Sequence, residues 1–205
     1  MHFKQNDDIW EKTKIMRKNL FTLFVLLIFG LTSQAQKFRG LDKSPMDMAY
    51  YPDNFAHDIK FAPEKVGKEA FVRVTYSRPA KKDREVFGAK LVPYDKVWRF
   101  GANEATEIKF FKDVKLDGKK VEAGVYSLFA IPTADEWTII LNTETDIWGD
   151  YDYKESKDVM RFKVKTKTLN DSLENLSIVF TKSETKGADM HIGWDKTGVT
   201  IPIEF

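Results

Sequence analysis

Apolar and polar residues alternate along most of this chain, and after residue 35 no long apolar period of 3.6 residues interrupts them. Alternation at every second position suits a half-buried strand, because successive side chains leave the backbone on opposite faces. Residues 71–76, 107–114, 121–131 and 137–142 read as strands rich in β-branched and aromatic side chains. Residues 159–167 set Arg161, Lys163 and Lys165 against Met160, Phe162 and Val164, a strand with one wet face. Residues 176–181, 190–194 and 199–205 repeat the pattern. Asp117 and Gly118 supply the dipeptide of a two-residue hairpin, and 195–198 reads as a further turn. Roughly eight to ten short strands between turns predict an all-β fold, an antiparallel β-sandwich of jelly-roll-like form.

The alternation fails at the N-terminus. Residues 16–35 read as a secretory signal peptide: Arg17 and Lys18 are the charged start, 20–31 the apolar stretch, and Ser33, Gln34 and Ala35 a small-residue cleavage site before Gln36. About a dozen apolar residues fall short of the ~20 that span a membrane, so cleavage is expected, with no transmembrane segment in the mature chain. Residues 1–15 carry Asp7, Asp8 and Glu11, an acidic prefix out of place before a leader, so Met16 is the expected start. Residues 36–69, rich in Pro, Asp and aromatic side chains, are predicted to form an arm packed across a single domain of residues 70–205. The product is expected to be exported, to the periplasm or beyond.

Composition narrows the partners. Residues 1–35 hold five of the 33 basic and three of the 31 acidic residues, so the remainder is electrically balanced and gives no reason to expect nucleic acid. The chain has no cysteine, which excludes disulfides, thiol catalysis, cysteine metal sites and lipoprotein acylation. Only His57 and His191 remain after the leader, without paired spacing; no cofactor and no metal centre is expected, apart from a weak calcium reading of the 146–152 loop. His191 alternates away from Met190, Ile192 and Trp194, which puts it on the wet face of its strand.

Candidate chemistry concentrates in PYDKVWRFGANEAT, residues 93–106. One reading makes it a ligand site, with Trp98 as an aromatic platform and Tyr94, Arg99, Asn103, Glu104 and Thr106 as directional groups. The other makes it structural: Gly101 allowing a bend, Asn103 taking a left-handed backbone, and Arg99 paired with Glu104. Arg78, before Pro79, would place a cation at the sheet rim. The loop DIWGDYDY, 146–153, mixes acids with Trp148, Tyr151 and Tyr153, as sugar-binding loops do. Glu104 with Asp150 is the candidate carboxylate pair for glycoside cleavage, although no spacing singles it out.

The segments YSRP (76–79), LVPYDKVWRFGANEAT (91–106), GVYSLFAIP (124–132), WTIILN (137–142) and Trp148-Gly149 resemble the domain of unknown function 2911, a family of secreted bacterial proteins. The resemblance runs from about Pro45 to the C-terminus, and Phe100 departs from the small polar residue expected in relatives. It implies an exported, mainly β domain and supplies no activity, cofactor or catalytic residue. Three functions follow as expectations: a non-catalytic domain binding a small molecule or glycan, a glycan hydrolase using paired carboxylates, or a structural protein docking to an envelope partner.

Overall fold

The computed structural model describes residues 10–20, 36–184 and 186–205. The chain divides into two compact units, Met1–Gly40 and Leu41–Phe205. In the first, residues 10–20 form a helix, α1. Most of the expected leader, with Ala35 of its cleavage site, lies outside the described residues. Among the described residues no helix is long and apolar enough to cross a membrane.

The second unit is mostly β. Its strands are β1 (Met46–Tyr51), β2 (Val72–Ser77), β3 (Thr106–Phe110), β4 (Val114–Leu116), β5 (Lys119–Val121), β6 (Gly124–Pro132), β7 (Glu136–Asn142), β8 (Asp158–Lys182) and β9 (Ala188–Ile203). Two short helices, α2 (Phe55–Phe61) and α3 (Pro63–Val66), join β1 to β2. Seven strands pair antiparallel in the order β1-β2-β3-β6-β7-β8-β9, while β4 and β5 form a separate hairpin. That hairpin turns at Asp117 and Gly118, whose φ angles of 48° and 72° match the expected dipeptide turn. The segment read as an arm supplies β1, which pairs along the whole of β2.

The β expectation holds; seven of the strands form one sheet curled nearly into a barrel, where two stacked sheets were expected. The reason lies in β8 and β9. Stretches 159–167 and 176–181 are one strand of 25 residues, and 190–194 and 199–205 largely merge into one of 16, with the expected turn at 195–198 inside it. Laid straight, β8 would run about 80 Å. It bends instead, with register shifts between Thr168 and Leu173 and between Leu173 and Ser177. Its first part pairs with β7 and its second with β9, so a single strand turns the corner that a second sheet would have made.

Curling brings the end of β2 against β8. Ala80 bridges Asn175, the Leu176 amide donates to Pro79 O at 3.1 Å, and the Ile178 amide donates to the Tyr76 hydroxyl at 3.0 Å. The inward residues of every strand meet inside. Val72, Val74, Ile108, Phe110, Leu128, Trp137, Ile139, Leu141, Ile178, Ile192, Trp194 and Ile201 are all buried in one cluster. His191 points outward as expected, its ring nitrogens 2.8 Å from Thr181 Oγ1 and 3.0 Å from Thr200 Oγ1. Partial burial and the charge of Lys167 hold its imidazole below the ordinary value.

Candidate functional site

A second, smaller cluster explains where the polar motifs go. Phe129 on β6 and Ile140 on β7 face away from the main core, yet both are fully buried. Ala105, Val97, Ile147 and Tyr153 cover them. Segments 93–106 and 144–157 therefore lie as a layer over the outer face of β6 and β7, and the apolar residues between their polar ones fix them there.

The first segment attaches along β6. Trp98 and Ala130 exchange backbone hydrogen bonds of 2.7 and 2.9 Å, and the Asp95 amide donates to Pro132 O at 3.0 Å. This pairing turns the Trp98 side chain inward. It is 5% exposed, stacks on Phe100 at 5.1 Å and Trp194 at 6.3 Å, and donates from Nε1 to Gly101 O at 3.2 Å. Trp98 is thus a core residue with no open face, in place of the expected platform. Thr106 is buried too: its hydroxyl donates to Phe100 O at 2.9 Å and its amide to Arg99 O at 3.0 Å, closing the turn. At Gly101 a Cβ would stand 3.1 Å from Ser77 O, a tight approach to the backbone of β2. The left-handed backbone falls on Phe100 (φ 62°) and, as expected, Asn103 (φ 59°). For a buried phenylalanine that conformation is unusual and strained.

Tyr94 and Arg78 lie apart from this turn. The Tyr94 ring packs over Gly88, and Arg78 bonds to Asp47, Leu176 O and Ser177 at the seam between β2 and β8.

The two loops do bring four of the expected residues together. Glu104 bridges Trp148, the Gly149 amide donates to Asn103 O at 2.9 Å, and the Ala105 amide donates to Ile147 O at 3.0 Å. Gly149 has φ 69°, and a Cβ on it would meet the Tyr151 ring at 3.0 Å and Arg99 Cδ at 3.8 Å. Arg99 and Tyr151 therefore converge on one side of Gly149. Trp148 is 58% exposed and Tyr151 82%. Asn103 Nδ2 donates to Asp42 Oδ1 at 2.9 Å, and the Ser44 amide, with Asn103 after it, holds the Asp42 carboxyl below its ordinary range. Tyr151 and Asp42 were not among the expected site residues; the DIWGDYDY composition marked the loop of the first, and no sequence signal marked the second.

Arg99 has no partner at this surface; its Nε shares with Arg73 Nε and Trp137 Nε1 the state of a buried donor without an acceptor. No ion pair joins Arg99 to Glu104, and among the described residues none accepts a hydrogen bond from its guanidinium. Its Nε is sealed from solvent without a partner, whereas the two Nη nitrogens are not sealed. Glu104 is exposed and Asp150 half-buried. Among the described residues, no group of three or more His, Asp or Glu is placed to hold a metal ion.

The loop that carries Trp148 is anchored downstream. Asp158 accepts from Tyr153 Oη at 2.8 Å, Arg161 Nε at 2.6 Å and Asn142 Nδ2 at 2.8 Å, and Arg161 Nη2 donates to Tyr153 Oη at 2.6 Å. Burial, then the Asp158 carboxylate, push the Tyr153 phenol up to about 12 against the opposing pull of Arg161. The Tyr153 ring also meets Phe129 edge-on at 5.0 Å.

These features define a class: a curled antiparallel sheet whose outer face carries two interlocked loops presenting aromatic and polar side chains. The chain belongs to the family described as Protein of unknown function (DUF2911), which it matches over residues 60–203, a span that includes both loops. Comparison with curated proteins and with solved structures finds no match.

Proposed function

We propose that this is an exported, non-catalytic domain that binds a glycan or a small molecule of similar shape on the surface formed by Trp148, Tyr151, Arg99 and Glu104. The observation that carries the reading is the combination of exposure with anchoring at Trp148 and Tyr151. Large aromatic side chains left in water cost solvation free energy, while both ends of their loop are fixed by backbone pairing and by the Asp158 network. Such pre-positioning lowers the ordering cost of binding. A flat ring in water suits the apolar face of a sugar, with neighbouring polar groups setting orientation.

The catalytic alternative receives less support. Glycoside cleavage of this kind needs two carboxyls flanking one bond in a cleft, and Glu104 stands exposed in water.

Thermal unfolding of the purified protein with a panel of envelope oligosaccharides and small metabolites tests the reading. A ligand at 100 times its Kd adds about 2.7 kcal/mol of stability. The expected result is a shift for at least one saccharide that the Trp148→Ala variant loses. Absence of any shift across the panel, or a shift that Trp148→Ala retains, overturns it.

A further inference from the structure

Resting on the reading above, we infer that the ligand of this surface is a saccharide bearing a carboxylate, held by Arg99 while its ring lies against Trp148 or Tyr151. Arginine keeps its charge at any physiological pH and carries five N–H donors. Here none of them finds an acceptor among the described residues, and the Nε edge is also cut off from water. A charge already stripped of water on one side gains more from an incoming anion than a fully hydrated lysine would, because less solvation is surrendered on binding.

The donors a ligand can reach are the two Nη nitrogens, which are not sealed from water and have no acceptor among the described residues. Glu104 lies on the same pair of interlocked loops, yet it does not take Arg99 as a partner. Arg99 Cδ and the edge of the Tyr151 ring both lie within 4 Å of the position a Cβ would take on Gly149, so the arginine stem and an exposed aromatic ring share one side of that residue. An unpaired guanidinium and exposed aromatic rings on one loop surface match a ligand whose carboxylate projects from the edge of a flat, partly apolar body. Uronic acids and other acidic sugars have that shape; neutral sugars lack the anion, and small inorganic anions lack the body.

The experiment compares two polymers that share one sugar backbone, the second having each carboxylate replaced by an uncharged methyl ester. Binding of oligogalacturonate and of its fully methyl-esterified form is measured by isothermal titration with the purified protein, at low and at physiological salt. The inference expects the acid to bind at least tenfold more tightly than the ester, with the preference narrowing at high salt. In Arg99→Gln, shown to be folded by its circular dichroism, the ratio should fall towards one. Ester binding equal to or tighter than acid binding overturns the carboxylate inference while leaving the aromatic surface intact. A preference for the acid that survives in Arg99→Gln overturns the role of Arg99. No binding of either polymer overturns the inference for uronate ligands, and the wider panel with Trp148→Ala then decides the surface reading separately.

Discussion

Arg78 donates from Nη1 to Asp47 Oδ2 at 2.8 Å, while the other oxygen of Asp47 accepts the Met48 amide at 2.8 Å. The Pro45 and Tyr51 carbonyls face β2, so the alternate Met48 amide faces away, along the open edge of β1. The carboxylate thus covers a donor that an intruding strand would need. Arg78 also donates to Leu176 O at 3.1 Å and Ser177 Oγ at 2.9 Å, which ties the first two strands to β8 where the sheet comes round.

Removing this clasp should loosen the seam. Arg78→Ala loses three hydrogen bonds at a half-buried position, and a decrease of about 1–3 kcal/mol is expected by urea unfolding. Asp47→Asn should cost less, because the two side chains are 35% and 43% exposed and water screens their pairing. Equal stability of Arg78→Ala and the native protein would remove Arg78 from any part in closing the sheet.

Trp98 should behave as a core residue. It stands among Phe87, Phe100, Trp137 and Trp194 with ring centroids 5.1 to 6.3 Å away. Trp98→Ala should therefore cost about 3–5 kcal/mol, from lost burial and the cavity left behind. Thermal unfolding checks this, and a loss below about 1 kcal/mol would contradict its placement.

The contrast between Trp98 and Trp148 shows what the sequence could convey. Alternation located most strands, because each has one face in the core and one outside, and the Asp117-Gly118 dipeptide located its turn. Alternation could not show that β8 and β9 run on through their middles. Bulges keep a strand continuous while breaking its period, so stretches 159–167 and 176–181 read as two strands. The polar motif was legible as a cluster of unusual residues but not as a geometry. Trp98 and Arg99 are neighbours in sequence, and one backbone pairing with Ala130 sends the first inward and leaves the second half-buried. The partnership between Arg99 and Gly149 joins loops some fifty positions apart, and no local pattern encodes it.

Alkaline pH should release the loop anchor. The Tyr153 phenol is raised to about 12 in the folded protein, above the ~10 of an unfolded chain. Between those values the folded state holds the proton and the unfolded state has lost it, so stability falls as pH rises through the window. Below pH ~10 the contribution is fully present. Tyr153→Phe should lower stability by about 1 kcal/mol at neutral pH through its lost hydrogen bonds and should flatten the decline between pH 10 and 12. Melting temperature across pH 7 to 12 tests both; an unchanged alkaline slope in the variant would mean that another group carries it.

Two substitutions on adjacent residues should separate anchoring from contact. Trp148 is 58% exposed, so Trp148→Ala should change stability by no more than about 0.5 kcal/mol while abolishing the proposed binding. Gly149 holds a left-handed backbone with the Tyr151 ring 3.0 Å from where a Cβ would sit. Gly149→Ala should therefore cost about 1–2 kcal/mol from the backbone conformation, before any displacement of the ring is counted. Because Arg99 packs at the same point, the variant should also weaken binding even though Trp148 is intact. Titration and thermal unfolding of the two variants side by side check the pair. If Gly149→Ala were destabilised but bound as well as the native protein, the ligand surface would not depend on the convergence of Arg99 and Tyr151.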